Sequence, residues 1–150
     1  ALGNRSILAD PRSEKMKDLI NKEVKHRQWF RPFAPSILEE HVGKWFERSV
    51  SSPYMSHVLK WKKEKINKIP AVSHFDGSAR LQSVTKNDNL WFYNFLSKWK
   101  RVSGVPILLN TSFNDSEPIV ETPEHAINCF LKTKISNLYF YDSKILVSRK

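Results

Sequence analysis

Short apolar segments alternate with helical patterns along this chain, and the alternation restricts the folds open to it. Strands that alternate with helices predict an α/β fold, or an α+β fold with a mixed sheet. Apolar residues at helical spacing predict helices over 13–24, 37–46, 87–102 and from 122 onward. Short apolar runs predict strands over 70–75, 80–84 and 105–109, and a closing hairpin of 138–141 with 145–147. The segment 48–69 has no clear pattern, and its charged run at 61–65 is predicted to be a solvated linker or edge.

Two helices carry sequence signals for their ends and inner faces. Gly104 is predicted to stop one helix, since glycine is common just beyond a helix C-terminus. Thr122, Pro123 and Glu124 combine an N-cap, a proline at the first helical position and an acid, which predicts a helix start. The residues predicted to face the core are Trp91, Phe95 and Trp99 in the first helix and Ala126, Ile127, Phe130 and Leu131 in the second.

Length and composition favour a single domain over residues 1–150 with a real core. Hydrophobic residues make up 40% of the chain, including five Trp and nine Phe, and no apolar stretch is long enough to span a membrane. The first residues lack an apolar signal-peptide core. The single cysteine, Cys129, cannot form an internal disulfide and is predicted to be a small core residue, so a reducing cytoplasm is the expected compartment.

The formal net charge of +10 favours anionic partners, which include nucleic acid, anionic membranes and phosphorylated small molecules. The charge alone does not choose among these three classes. The chain has four glycines and no glycine-rich phosphate loop, so phosphate is expected to be held by side chains. No His/Cys cluster has metal-ligand spacing, so no metal site is predicted in this chain.

A first candidate site combines Arg5, Lys25 and Arg31. Pro32 and Pro35 bracket a short segment after Arg31, so the chain from 30 to 35 is predicted to be extended and stiff. Arginine offers a planar fork of donors that suits phosphate oxygens, and lysine adds a point charge. Capture of phosphate is one interpretation of this set, and three ordinary surface cations are the other.

A second candidate site is the segment 74–80, which holds His74, Ser78 and Arg80 around a glycine turn. Backbone N–H groups in such a turn can accept an anion, although a plain turn explains the same residues. His74 alone is more often a packed histidine than a base or ligand.

A third candidate site is Asn110, Ser112 and Asn114, directly after a predicted buried strand. Ligands of α/β proteins gather beyond the carboxyl ends of strands, where amides and hydroxyls contact a base, a ribose or a small carbonyl. A polar turn capped by its own side chains is an equal alternative.

These segments together resemble one family, the O-carbamoyltransferases of nodulation factors, cephamycin and tobramycin. The resemblance is to the C-terminal region of those enzymes and runs in order along most of the chain. The matching segments are 1–12, Asn21 with Val24 and Lys25, 30–35, 76–82, and 110–114 followed by 117–120.

The resemblance implies a two-domain enzyme. Its N-terminal domain is Kae1-like and carries Fe²⁺ and the acceptor site, and its C-terminal domain has a YrdC/Sua5-like twisted mixed sheet with flanking helices. The C-terminal domain would make carbamoyl-adenylate from carbamoyl phosphate and ATP, with Mg²⁺ accompanying the nucleotide. Lys25, Arg31 and Arg80 would be catalytic and would bind the phosphates and the carbamoyl group, with Asn110 and Ser112 in the same pocket and Arg5 as a weaker candidate.

The same resemblance implies that this chain is a fragment without its Kae1-like partner domain. In the family, an arginine thought to bind phosphate commonly precedes the Ala1-Leu2-Gly3 sequence. We therefore expect no complete carbamoyl transfer by this chain alone. A basic YrdC-like module that binds RNA is the alternative function. Nucleic acid is not the expected partner, because most aromatic residues have core-like helical spacing. The sequence does not indicate which molecule supplies the acceptor hydroxyl.

Overall fold

The computed structural model describes residues 3–149, and its centre is a five-stranded mixed sheet with flanking helices. The predicted fold class is therefore confirmed. The sheet strands are β1 (Ser6–Ala9), β2 (Ala34–Leu38), β3 (His57–Lys60), β4 (Ser78–Val84) and β5 (Ile107–Ser112), and β6 (Asn137–Phe140) pairs with β7 (Ile145–Ser148) as a separate hairpin. The helices are α1 (Glu14–Glu23), α2 (Val42–Trp45), α3 (Lys63–Ile66), α4 (Leu90–Ser103) and α5 (Pro123–Lys132), with 3₁₀ turns at Glu39–His41 and Pro70–Val72.

The strand order β1-β5-β2-β4-β3 places polar residues of neighbouring strands side by side. β2 and β4 are parallel, and the other neighbouring pairs of this sheet are antiparallel. Ser36 is in register with Gln82, and Ala34 with Asn110. Side chains two residues apart on a strand share a face, so Arg80 lies on the same face as Gln82 and Ser112 on the same face as Asn110.

The two faces of the sheet are covered differently. Ile37, Leu81 and Leu109 on one face belong to the main core. On the other face, Phe92 and Leu96 of α4 pack against Leu38, Val84 and Leu108, at one end of β2, β4 and β5. The rest of that second face carries polar residues, of which Ser36, Gln82 and Asn110 are buried and Arg80 is exposed.

The inner faces of the two long helices agree with the prediction in part. In α4 the fully buried residues are Phe92 and Leu96, and the predicted Trp91 and Trp99 are partly buried and pack against the same cluster. The predicted Phe95 is exposed and stacks on Trp91, with ring centroids 5.6 Å apart, while the Trp99 indole N–H donates to the Ile107 carbonyl at 2.8 Å. In α5, Ala126, Cys129 and Phe130 are buried, while the predicted Ile127 and Leu131 are exposed. Both helices carry apolar residues around more than one face, so spacing alone did not fix the buried side.

Two predicted elements are wrong. The segment 37–46 is not one helix, because Pro35 and Ile37 lie in β2, a central strand buried along its whole length, and only one helical turn follows. The segment 70–75 is not a strand but begins with the 3₁₀ turn Pro70–Val72, since Pro70 cannot donate to a strand ladder. The run 61–65 follows the edge strand β3, and none of its charged residues is buried, as predicted for an edge. Trp61 is the exception, because it is buried and its ring centroid lies 3.8 Å from that of Phe46.

The local signals at the helix ends and in the last hairpin are confirmed. Gly104 follows α4 with a φ of 77°, and the Thr122 hydroxyl accepts the backbone N–H of His125 at 3.1 Å. Cys129 is buried as predicted. No helix in the described part of the chain meets the length and apolarity that crossing a membrane requires.

Four aromatic residues that have no helical spacing in the sequence lie outside the core. Phe75 is fully exposed, and Tyr54, Trp29 and Phe30 are mostly exposed. These four lie in turns and loops, where helical spacing gives no information.

Candidate functional site

A cavity of about 270 Å³ lies on the open half of the second sheet face. Three arginines line it, and no carboxylate of residues 3–149 does. Such a cavity attracts an anion, because the charges that face it are of one sign. The residues that matter for the argument below are Arg5, Arg27, Arg80, Met55, Asn110 and Ser112.

Arg27 is held firmly at the cavity wall. Its Nε donates to Asn21 Oδ1 at 2.7 Å, and its guanidinium carbon lies 4.6 Å from the centroid of the Phe33 ring. Burial, and next the nearby charge of Arg31, lowers the pKa of Arg27 from its usual value. The side chain stays cationic because an arginine pKa is far above neutral pH. Its remaining donors are therefore preorganised for an anion.

Arg5 and Arg80 are the other two arginines that line the cavity. Arg5 precedes β1, and its Nη1 donates to the Val120 carbonyl at 3.1 Å. Arg80 is the exposed residue within β4, and the described chain supplies no side-chain hydrogen bond to it. Arg80 is thus the arginine with most donors to spare, whereas Arg5 both lines the cavity and anchors a loop.

Asn21 folds the segment after α1 around the cavity. Its Nδ2 donates to the carbonyls of Trp29 and Arg31 at 3.1 and 3.0 Å, while its Oδ1 receives Arg27. The Arg31 side chain is exposed and does not line the cavity. Arg31 is close enough for its charge to lower the pKa values of both Lys25 and Arg27. Its predicted catalytic role stays a prediction.

Lys25 links the end of α1 to the segment after β5. Its side chain is buried, and Nζ donates to the Ser112 carbonyl at 2.6 Å and to Asn114 Oδ1 and the Asn114 carbonyl at 2.7 and 2.8 Å. Ser112 Oγ lies 3.2 Å from the same Nζ and donates to Asn114 Oδ1 at 2.6 Å. All these partners are neutral, so burial, followed by the charge of Arg27, lowers the Lys25 pKa to about 8. The structure brings three predicted site residues together here, with Ser112 at the cavity.

The segment 74–78 forms a compact turn. Asp76 Oδ1 accepts from the backbone N–H of Ser78 at 3.0 Å and from its hydroxyl at 2.6 Å, and Gly77 has a φ of 75°. The Ser78 hydrogen bonds, followed by the Lys60 ammonium at 2.9 Å, hold the Asp76 pKa well below its usual range. His74 Nδ1 lies 3.2 Å from Ser78 Oγ, and burial lowers the His74 pKa. His74 and Ser78 do not line the cavity, so of the second candidate set only Arg80 reaches it.

A buried polar network of Ser36, Gln82 and Asn110 adjoins the cavity, which Asn110 alone of the three lines. Asn110 Nδ2 donates to Ser36 Oγ at 2.8 Å and to Gln82 Oε1 at 2.9 Å, and Ser36 Oγ also donates to Gln82 Oε1. Asn110 is 2% exposed and lines the cavity. Its Oδ1 is buried and has no hydrogen-bond partner among the described residues.

Sequence reasoning missed Arg27, Asn21, Ser36 and Gln82. Arg27 follows Lys25 by two residues in the basic segment, and that spacing was the available signal. Gln82 is two residues from Arg80 on a predicted strand, so strand periodicity alone places both on one face. Ser36 lies between the predicted extended segment 30–35 and the predicted helix 37–46, so the sequence did not place it in a strand.

The cavity offers little to a metal ion. No group of three His, Cys, Asp or Glu side chains within residues 3–149 has the geometry of a metal site. Mg²⁺ prefers oxygen ligands and often binds through substrate phosphates and water. The residues present therefore fit the phosphates of a nucleotide, and a magnesium ion would be held by those phosphates more than by this chain.

The mixed sheet with a cationic cavity defines an α/β protein with a candidate anion-binding site. Comparison with known families then gives the narrower assignment: the chain belongs to the family described as Carbamoyltransferase C-terminus, which residues 1–147 match. The resemblance to the C-terminal region of the O-carbamoyltransferases is thereby confirmed.

Similar proteins cover nearly the whole chain. The chain is 46% identical to an uncharacterized protein of Methanocaldococcus jannaschii. The alignment covers all of this chain and 24% of that protein. It is 48% identical to nodulation protein NolNO of Sinorhizobium fredii and 46% identical to nodulation protein NolO of Bradyrhizobium diazoefficiens, each over 92% of the chain and over 21% and 26% of those proteins. The chain thus spans about a quarter of the length of the curated relatives it matches.

Proposed function

We propose that this chain is the part of a carbamoyltransferase that makes carbamoyl-adenylate from carbamoyl phosphate and ATP. The observation that carries the proposal is the convergence of Arg5, Arg27 and Arg80 on one cavity with no opposing carboxylate among its lining residues. Membership of the carbamoyltransferase family supplies the group to be transferred.

The proposed reaction brings anions together at each step. Water cleaves carbamoyl phosphate to carbamate and inorganic phosphate. A carbamate oxygen then attacks the α-phosphorus of ATP, and pyrophosphate leaves with the electrons of the broken P–O bond. An acceptor hydroxyl finally takes the carbamoyl group and AMP leaves. Fixed cations lower such barriers by stabilising the charge that develops on phosphate oxygens.

Each arginine has a distinct part in this proposal. Arg80, with free donors, contacts the phosphates directly, and Arg27 presents its remaining N–H groups from the opposite wall. Lys25 fixes Ser112 at the cavity and adds positive potential from behind it. His74 and Ser78, predicted as substrate contacts, would instead act by shaping the turn that precedes Arg80.

The cavity size limits what it encloses. At about 270 Å³ it is slightly smaller than a usual ligand pocket, which measures roughly 300–1,000 Å³. We infer that the reacting phosphate and the carbamoyl group lie inside, and that the nucleoside extends across the open side. Met55 and Ile119 line the cavity and offer apolar surface for the base. Fe²⁺ and the acceptor hydroxyl belong, in this proposal, to the Kae1-like part of the enzyme.

The partial reaction tests the proposal. We expect the full-length protein to exchange labelled pyrophosphate into ATP only when carbamoyl phosphate is supplied. Arg27→Ala and Arg80→Ala are each expected to lower the exchange rate about 100-fold or more, since each removes charge stabilisation at the reacting groups. Arg101→Ala, on an exposed part of α4, is the matched control. Exchange that persists in both cavity variants would contradict the proposal.

A further inference from the structure

The last strand of the chain is apolar in sequence but uncovered in the structure. β7 contains the continuous apolar run Ile145, Leu146 and Val147, and all of its residues are exposed. An antiparallel strand with one solvated face alternates apolar and polar residues, whereas a continuous apolar run is typical of a strand buried on both faces. The sequence of β7 therefore indicates a cover that residues 3–149 do not supply.

The main core covers only one face of the β6–β7 hairpin. Leu138 of β6 is buried in that core, and Phe140 packs against it. Tyr139 and Leu146 are in register on the opposite face and are 46% and 60% exposed. A two-stranded hairpin is marginally stable by itself in water, so a second apolar face is expected to need a packing partner.

The edge strand of the central sheet provides an internal comparison. β3 lies at that edge, and its exposed residues include His57 and Lys60. Lysine and other charged residues on an edge strand discourage pairing with further strands. β7 has no charged residue and, within residues 3–149, pairs with β6 alone. The edge at β3 thus carries the residues of a solvent-facing strand, and β7 does not.

Aromatic rings extend the uncovered surface from the hairpin onto α4. Tyr141 follows β6, and its ring centroid lies 5.2 Å from that of Trp91. Trp91 stacks on Phe95, and both Tyr141 and Phe95 are exposed. Large apolar surface patches commonly mark protein–protein contacts. We define the hairpin surface as Tyr139, Tyr141, Ile145, Leu146 and Val147 together with Trp91 and Phe95.

The charge of the hairpin surface indicates the chemistry of its partner. The charged residues within 137–148 are Asp142 and Lys144, which have opposite signs. The net charge of +10 is therefore carried elsewhere, and this surface lacks the cationic patch that nucleic acid or anionic lipid would need. An apolar surface poor in charge and rich in aromatic residues resembles the core of a protein–protein interface.

We propose that the hairpin surface is the docking surface for the polypeptide that precedes this region in the full-length protein. The chain matches a C-terminal family region and spans about a quarter of its curated relatives, so the larger part of such a protein is available to cover the hairpin. A tethered segment has an effective concentration on the order of millimolar, which favours it over a second copy of the chain. The inference depends on family membership and is independent of the proposed carbamoyl-adenylate reaction.

Cysteine labelling of the full-length protein tests whether the hairpin surface is covered. Leu146→Cys places a thiol within β7, and Lys144→Cys places one in the exposed turn of the same hairpin. We expect a maleimide to label Leu146→Cys about 20-fold or more slowly than Lys144→Cys in the folded protein, and at a similar rate in urea, because reaction of a covered thiol requires local opening. Mass mapping assigns the label to the hairpin peptide. Equal rates in the folded protein would overturn the proposal.

A photoreactive probe identifies what covers the surface. We expect full-length protein with benzoylphenylalanine in place of Tyr139 to form a crosslink within one polypeptide, to a peptide that precedes residue 1. A product of twice the mass would assign the surface to a second copy of the protein. That product, a link confined to residues 1–150, or no link would each overturn the proposal.

Leu146→Glu provides a measurement that does not depend on labelling. A new charge on an uncovered surface changes stability little, whereas a charge buried in an apolar contact destabilises the fold. We expect Leu146→Glu to lower the melting temperature of the full-length protein by about 2 °C or more, and Lys144→Glu by less than about 0.5 °C. The shift is expected to be independent of protein concentration, as an intramolecular contact requires. Equal shifts in the two variants, or a shift that varies with concentration, would contradict docking of the same polypeptide.

Discussion

Single side chains decide which cations of this basic protein act on the ligand. Arg27 is fixed by Asn21 and Phe33 at the cavity, whereas Arg31 is exposed outside it. We expect Arg27→Ala to weaken ATP binding about tenfold or more and Arg31→Ala to weaken it less than threefold, since buried charge-assisted hydrogen bonds are worth more than exposed charges. Equilibrium titration of both variants checks the order, and a larger effect of Arg31→Ala would reverse our assignment.

Lys25 gives the fold a specific pH dependence. Its pKa is lowered to about 8 in the folded chain, chiefly by burial, from an ordinary value of 10.5. Between these values the unfolded chain binds more protons than the folded one, so the free energy of unfolding rises with pH. Below pH 8 the buried Lys25 charge lowers the free energy of unfolding by its full amount. This destabilisation decreases as the pH rises toward 10.5.

The matched comparison for Lys25 is Lys25→Met, which keeps the stem and removes the titration. The free energy of unfolding of the parent minus that of Lys25→Met is expected to increase by about 1–3 kcal/mol between pH 8 and 10.5. Urea unfolding at each pH measures it. A difference that stays flat or falls would show that the pKa of Lys25 is not lowered.

The contact between the start of β1 and α4 depends on a glycine. Gly3 has a φ of 89°, and an added Cβ would lie 2.6 Å from Cδ1 of the fully buried Phe92. Gly104 has a similar φ of 77°, but its Cβ would meet nothing within 4 Å. We expect Gly104→Ala to lower the free energy of unfolding by about 1–2 kcal/mol and Gly3→Ala by about 2–5 kcal/mol. Equal effects in thermal or urea unfolding would argue against close packing of Gly3 on Phe92.

The end of α5 is joined to the last strand by one arginine. The Arg149 guanidinium donates to the carbonyls of Phe130, Thr133 and Ile135 and lies 4.8 Å from the centroid of the Phe130 ring. These carbonyls lie at or just beyond the end of the helix, where orphan acceptors need partners. Arg149→Ala is therefore expected to lower the free energy of unfolding by about 1–3 kcal/mol.

Hydrogen exchange of backbone amides identifies which segment loses stability in Arg149→Ala. Amides of the β6–β7 hairpin are expected to lose protection in Arg149→Ala more than those of the central sheet, because the side-chain hydrogen bonds of Arg149 join the end of the hairpin to the end of α5. Lys144→Ala, in the hairpin turn, is the exposed control. Uniform loss over the sheet and hairpin would contradict a local role.

Sequence signals predicted the elements whose causes are local. The Thr122 cap, Gly104 and the last hairpin depend on neighbouring residues and were confirmed. Only the start of β2 was predicted as extended, because the strand character of Ser36 to Leu38 comes from pairing with β4 and β5, which are distant in sequence. The same limit applies to α4, where Phe92 is fully buried against Leu38 and Leu108 while the predicted Trp91 is only partly buried.

In the candidate site, too, residue types were predictable from the sequence, whereas orientations that depend on tertiary contacts were not. The residue types of the three candidate sets suggested an anion site, and the structure brings four of their members, Arg5, Arg80, Asn110 and Ser112, to one cavity. Arg27 was missed because its orientation depends on Asn21, a contact that spacing does not reveal. The compact turn that holds His74 and Ser78 likewise follows from the Asp76 hydrogen bonds.

Across the whole molecule, function follows from the unequal cover on the two faces of one sheet. The main core lies on one face, and α4 covers half of the other. The uncovered half holds the arginines, and the buried amide network lies at its boundary with the apolar half. A net charge of +10 adds a long-range attraction for anions, which salt weakens.

We propose that this cavity binds the phosphates of ATP and carbamoyl phosphate. Calorimetric titration of both ligands into the full-length parent, Arg27→Ala and Arg80→Ala tests it directly, with single-stranded RNA as a competitor. We predict binding by the parent, a loss of about tenfold or more in each variant at unchanged melting temperature, and no displacement of ATP by RNA. Undiminished binding in both variants, or displacement of ATP by RNA, would contradict the account.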